Sequence, residues 1–336
     1  MNSLKEILIN KNKSCKSVWF MRQAGRYLPE FRKIRKKNKN FINLCLNSEL
    51  SSEITLQPID RFDVDSAIIF SDILMIPYAA GQKVEFIEKK GPQLGDFNPK
   101  IFLKKDIKSF LAKLEPVYQA IRLTKKNLDK NKSLIGFAGA PWTLLVYMLS
   151  LKNEDDKIDF SKINYSKEEV LLVLEKLNEL ICLHINEQIK AGADTIQIFD
   201  SWAGKIPSSE LDLYCYNPNK KIVDFCKNNN IPVISFPKGI NKNYLEFNKI
   251  VKPDGLSLDY SLDPIWAADN LTNVSLQGGL NPKFLLGDED KLYAEAKKYL
   301  DAFEDVPYIF NLGHGIVPET NPELLKKLIN FVRNYK

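Results

Sequence analysis

Apolar residues along the chain gather into short β-prone runs, each closed by polar or turn residues and each followed by a stretch with helical spacing. Eight such runs occur, at 18–21, 66–70, 134–138, 195–199, 232–236, 255–258, 274–277 and 308–312. The clearest helical pattern spans 167–190, where Val170, Leu174, Leu177, Ile181 and Ile185 recur along one face and Gly192 supplies a stop. Eight β-then-α units predict a single (β/α)8 TIM barrel, an α/β fold whose active site lies at the C-terminal ends of its strands. A doubly wound open sheet would show the same alternation, but it usually carries a glycine-rich dinucleotide loop after the first strand. No GxGxxG occurs here. The segments 25–47 and 77–106 are longer than a barrel turn needs and read as insertions after strands one and two. One domain covering 1–336 is expected.

Composition supports a large core and argues against disorder, with 44% hydrophobic and 27% charged residues. The net charge of +6 reads as spread along the chain; it suits anionic ligands without demanding nucleic acid. Five cysteines form an odd set with no CxxC pair, which suggests neither a disulfide framework nor a zinc ribbon and fits a reducing compartment. The one apolar run near the N-terminus, Ile7-Leu8-Ile9, is too brief for a signal core or a membrane span, so a cytoplasmic protein with no membrane contact is expected.

In a parallel barrel, charged residues at a strand's C-terminal end stand at the catalytic mouth, and five ends qualify. After the first run come Arg22, Gln23, Gly25 and Arg26, two guanidinium groups suited to gripping carboxylates at two points; the alternative is a surface loop with ordinary charges. The following stretch 32–39 packs four lysines and two arginines into eight positions. It reads as a solvated basic run from which Arg35 could face the cleft. The second end delivers Asp72 from an apolar strand, either as a site carboxylate or as a helix N-cap. At the third, Gly136 to Thr143 offer small residues that let a flat ligand approach the backbone. Trp142 there is as well suited to the core as to the site, while Tyr147 brings a hydroxyl towards the mouth. The fourth carries Phe199 and Ser201, and the fifth sets His314 between two glycines, where a ligand can reach it. His184, inside the 167–190 pattern, reads as structural. Two distant histidines and unpaired cysteines give little basis for a metal site.

The strings Met-Arg-Gln-Ala-Gly-Arg at 21–26 and Gly-Phe-Ala-Gly-Ala-Pro-Trp-Thr at 136–143, with the segment 67–74 between them, resemble the uroporphyrinogen decarboxylase family. Ser201 and His314 follow in the family's order, and the resemblance spans nearly the whole chain. It implies a cofactor-free, metal-free homodimeric carboxy-lyase of heme and other tetrapyrrole biosynthesis. Such an enzyme converts the four acetate side chains of uroporphyrinogen III to methyls, giving coproporphyrinogen III. It also implies roles: Asp72 stabilises the reacting pyrrole, Arg22, Arg26 and Arg35 hold carboxylates, and Arg22 is a candidate for proton delivery. Gln23, Tyr147, Ser201 and His314 orient the substrate's arms, with Tyr147 counted among the catalytic groups, and Phe199 packs on the macrocycle.

Three rivals remain at this point. A corrinoid-linked methyltransferase on the same barrel should carry a His-x-Cys and a second cysteine for zinc, yet His314 is followed by Gly315 and Ile316, and His184 by Ile185 and Asn186. A silent carrier of an anionic tetrapyrrole would need the arginines but not Asp72. A nucleic-acid binder would be expected to interleave aromatic residues with its basic ones, which this chain does not do.

Overall fold

The computed structural model describes residues 2–87, 91–153 and 157–335. Eight parallel strands form one sheet: β1 (Ser17–Val18), β2 (Ser66–Ile68), β3 (Ser133–Gly139), β4 (Thr195–Asp200), β5 (Val233–Pro237), β6 (Gly255–Leu258), β7 (Ser275–Gly278) and β8 (Tyr308–Phe310). Neighbouring strands pair in the order β1-β8-β7-β6-β5-β4-β3-β2, and a helical segment follows each strand. This is the expected barrel, with the expected helix at Lys167–Ala191 opened by a Ser166/Glu169 capping box and ended at Gly192 in a left-handed conformation.

No ladder joins β1 to β2; side chains and a backbone bond at Asp65 close that seam. The Asp65 carboxylate accepts from the Val18 N–H (2.7 Å), and the Asp65 N–H donates to the Val18 carbonyl (2.9 Å). One step higher, Gln23 accepts from the Phe20 N–H (3.0 Å) and donates to the Ser66 carbonyl (2.9 Å). The Asn311 side chain takes the Met21 N–H (3.0 Å), and Thr55 Oγ1 takes that of Phe70 (2.8 Å). These bonds explain why β1, β2 and β8 are shorter than the expected runs 18–21, 66–70 and 308–312. Backbone donors that a ladder would use are taken by side chains, so their pairing needs are met without strand geometry.

Inside the barrel, Trp19 of the β1 loop donates its indole N–H to Gln277 of β7 (2.9 Å), and Gln277 donates to Gln197 of β4 (3.1 Å) and Ser257 of β6 (3.2 Å). The N-terminal end is plugged by helix Ser3–Asn10. Lys11 Nζ donates to the carbonyls of Leu8 (2.8 Å) and Asp254 (2.6 Å), and Ser275 Oγ donates to the Ile7 carbonyl (2.7 Å). Of the two insertions, 77–106 holds an antiparallel hairpin, Val84–Ile87 with Gly91–Leu94, and 25–47 holds helices Pro29–Lys37 and Phe41–Cys45. Since all eight strands are parallel, the five polar strand ends lie on one rim, opposite the plug.

Candidate active site

Asp72 stands four residues beyond β2. Its Oδ1 accepts the Leu74 N–H (2.8 Å), an Asx turn just outside helix Met75–Ala80, whose cap position is held by Leu74. The N-cap alternative therefore does not describe it. No hydrogen bond from a described residue reaches Oδ2, and the side chain is half-buried. Burial pushes the carboxyl up to about 6, against the Leu74 amide and the Arg22 charge, which both pull it down. At neutral pH it is ionised, with one oxygen available to a ligand.

Arg22 is exposed and adopts a left-handed backbone (φ +60°), a conformation a bulky residue holds only when its surroundings impose it. Its side chain crosses the β8 loop. A Cβ placed on Gly315 would lie 2.4 Å from Arg22 Cδ, so glycine there makes the crossing possible, and the Ile316 N–H bond to the Met21 carbonyl (2.9 Å) ties the two loops together. In the same loop the Gly315 N–H donates to His314 Nδ1 (2.6 Å), which leaves Nε2 as the ring's N–H. Burial, then the charges of Lys238 and Arg22, push His314 down to about 3; Asp259 opposes them. His314 is thus a neutral donor.

Tyr147 sits edge-on to Trp202 (6.2 Å between centroids), and its hydroxyl is raised by burial and the Asp72 charge, with Arg22 and Lys152 opposing. It shares one electrostatic neighbourhood with Asp72 and Arg22. Phe199 and Ser201 are half-buried at the end of β4, with Phe199 edge-on to Phe137 of β3 (5.8 Å). Arg26 is exposed at the rim. Arg35 lies over the Phe41 ring (5.8 Å), and its charge and that of Asp72 act on the buried Cys45 thiol in opposite directions. Gln23, expected to orient a substrate arm, is 1% exposed; its Oε1 accepts the Phe20 N–H within the β1 loop and its Nε2 donates to the Ser66 carbonyl across the β1–β2 seam, so its amide builds the site's floor. His184 is buried against Tyr118 (Oη to Nδ1, 3.0 Å), consistent with a structural place.

Three further charged residues, to which the sequence assigns no role, lie at this rim. Asp200, the last residue of β4, accepts from Thr143 Oγ1 (2.7 Å) and Asn219 Nδ2 (3.0 Å) and is pushed up to about 6 by burial. Its backbone carbonyl accepts from the Lys238 N–H (3.1 Å), linking the loops after β4 and β5. Asp259, after β6, accepts from Gly239 N–H, Tyr244 Oη and Ser261 N–H. The signal that marks Asp72, a charge at a strand's C-terminal end, is also present at Lys238 and Asp259, directly after the fifth and sixth strands.

The profile of the family described as uroporphyrinogen decarboxylase (URO-D) matches residues 4–335. The chain belongs to this family. Curated relatives named uroporphyrinogen decarboxylase include one from Rickettsia bellii, 42% identical over 95% of both chains. Another, from Orientia tsutsugamushi, is 40% identical over 100% of this chain and 99% of its own. The family makes the chain a carboxy-lyase of tetrapyrrole biosynthesis. Among solved structures, a methyltransferase from Methanosarcina mazei superposes with a TM-score of 0.80 over 99% of this chain and 98% of its own at 19% identity. That likeness shows the shared barrel alone. Among the described residues, no three His, Cys, Asp or Glu side chains gather where a metal could sit, and no helix is long and apolar enough to cross a membrane.

Proposed function

We propose that this member of the uroporphyrinogen decarboxylase family removes CO2 from the four acetate arms of uroporphyrinogen III, leaving methyls and releasing coproporphyrinogen III, with the substrate's own pyrrole as electron sink. The observation that carries the mechanism is the half-buried Asp72 carboxylate, held by the Leu74 amide at one oxygen and open at the other. A plain acetate cannot lose CO2 without stranding an electron pair. Protonating a pyrrole ring carbon makes the ring a cation. The pair of the breaking C–C bond then flows into it as CO2 departs, a second proton caps the exocyclic carbon as a methyl, and loss of the ring proton restores the pyrrole. Asp72 accepts the pyrrole N–H and stabilises the cation where water is scarce, which is transition-state stabilisation by a preorganised charge.

Arg22 and Arg26 take substrate carboxylates through their guanidinium forks, with Arg35 beside them. Arg22 is first a carboxylate holder, since its planar fork of donors matches a carboxylate at two points. Neutral His314 donates from Nε2, Tyr147 and Ser201 donate hydroxyl hydrogen bonds to the arms, and Phe199 packs on the macrocycle. The five free cysteines suit a reducing cytoplasm, and the family relation supports a homodimer, which sedimentation of the purified protein will check. Incubating the protein with uroporphyrinogen and following stepwise carboxyl loss by chromatography tests the reading. Tight binding without loss of CO2 would identify a carrier instead.

A further inference from the structure

Apart from Arg35, the basic stretch 32–39 has no part in the chemistry above. It contains Arg32, Lys33, Arg35, Lys36, Lys37 and Lys39 and no acid, while the chain has 48 Lys and Arg against 42 Asp and Glu. Its six cations therefore equal the whole net charge of +6, and everything outside it is balanced. The excess that reads as spread along the sequence is concentrated at one place in the fold.

That place adjoins the mouth. Helix Pro29–Lys37 begins three residues after Arg26, and Arg32 Nη1 donates to the carbonyls of Arg26 (2.9 Å) and Tyr27 (2.8 Å). The helix's one buried side chain, Phe31, meets Phe70 (5.6 Å), two residues before Asp72, and Glu30 anchors the first turn to Arg61 (2.7 Å). Lys33, Lys36, Lys37 and Lys39 are exposed and form no ion pair with a described residue. Other helices of this molecule behave differently: Lys176 pairs with Glu179, Lys190 with Glu187, Lys297 with Asp301 and Lys298 with Glu295. Three cations in the last turn also suit the helix dipole, but that effect does not need six charges without one intervening acid.

We propose that this helix is an electrostatic guide for the polycarboxylate substrate, drawing it to the mouth and discriminating it from product by charge. The inference rests on the proposed reaction, in which each turnover removes one carboxylate and product leaves with four fewer negative charges than substrate brought. A one-signed patch beside a cleft raises the local concentration of a polyanion, and the gain is screened within about 8–10 Å at physiological salt. The attraction weakens as the acetates are lost, so the surface that gathers substrate holds product less firmly.

The test is the triple variant Lys33→Gln, Lys36→Gln, Lys37→Gln, which keeps helix formers at all three positions. Its control removes three exposed lysines before strands at the far end of the barrel: Lys13→Gln, Lys126→Gln, Lys130→Gln. Steady-state rates and product inhibition are measured from ~0.01 M to ~0.5 M salt. The guide triple should keep kcat, raise KM by roughly three- to tenfold at low salt, lose the difference at high salt, and bring the salt slopes of substrate KM and product Ki together. The control should match the parent. An unchanged KM, an equal effect of the control, or a loss of kcat that salt does not alter would overturn the proposal. If the parent itself does not turn over uroporphyrinogen, the proposed function fails instead, and the two failures are distinguishable.

Discussion

Asp72 and Asp200 are both carboxylates at strand ends on the same rim, both pushed by burial to about 6, yet their surroundings differ in the one respect that matters. Asp200 has each oxygen occupied, Oδ1 by Thr143 and Oδ2 by Asn219. Thr143 Oγ1 in turn accepts the Trp202 N–H (3.2 Å), and the Trp142 indole donates to the Trp202 carbonyl (3.1 Å), so Asp200 fastens the β3 and β4 loops to each other. A single turn of π-helix, Asp212–Tyr216, precedes Asn219 and contributes Cys215 to the same cluster. Asp72 is held at one oxygen and open at the other. A shifted pKa alone marks both residues; free hydrogen-bonding capacity separates the one that can act on a ligand from the one that holds the scaffold.

The same substitution at each position should therefore give opposite results. Asp72→Asn keeps an acceptor for the Leu74 N–H and removes the charge, so turnover should fall by roughly 10²–10³, about 3–4 kcal/mol, while substrate binding changes much less. Its thermal stability at pH 7.5 should equal or exceed the parent's. Both carboxyls bind their proton more tightly in the folded chain than at the ordinary value near 4. The stability each contributes is thus complete below about pH 4 and lost as pH rises through 6. Asp200→Asn should instead destabilise by about 1–3 kcal/mol. Whichever way the new amide turns, its NH2 group meets a donor: Asn219 Nδ2 on one side, which cannot turn over without giving up its bond to the Cys215 carbonyl (2.9 Å), or the Thr143 hydroxyl and backbone N–H on the other. Denaturant unfolding and single-turnover rates on the two variants, side by side, check this. A stable, slow Asp200→Asn together with an unstable, fast Asp72→Asn would invert the assignment.

The sequence reveals the barrel because eight apolar runs with turn residues between them are a property of composition along the chain, and periodicity records burial directly. The strand ends were legible wherever an unusual charge followed such a run, as at Arg22 and Asp72. What stayed hidden depends on side chains reaching backbone far away in sequence. Gln23 looks like an exposed loop residue beside Arg22, and nothing local indicates that the Ser66 carbonyl, 43 positions on, lies in reach of its amide. The hairpin Val84–Ile87 with Gly91–Leu94 was hidden for another reason: its burial is too uneven for a clean alternation, and it read as insertion.

A smaller effect separates the rim arginines from the two acids. Arg26 is exposed and bonds to no described residue through its guanidinium, so Arg26→Lys should leave stability unchanged. It should raise KM by roughly fivefold, since an ammonium cannot reproduce a two-point carboxylate clamp. An unchanged KM would remove Arg26 from the binding set.

The smallest expected effect, and the one that most sharpens the comparison, concerns pH. If the ionised form of Asp72 is the active one, kcat/KM should fall on the acid side with a midpoint near pH 6, where an ordinary histidine would also titrate. His314 is the histidine in the mouth, and the two can be told apart. Its ring is pushed down to about 3 by burial and the cations around it, and the Gly315 N–H already occupies Nδ1, so it stays neutral over the whole working range. His314→Gln retains a neutral donor and should lose less than about tenfold in kcat/KM, with the midpoint unmoved. In Asp72→Asn the residual rate should show no limb near pH 6. A limb that vanished with His314→Gln and survived in Asp72→Asn would transfer the titration to the imidazole. It would also mean that the Gly315 N–H does not hold the tautomer drawn here.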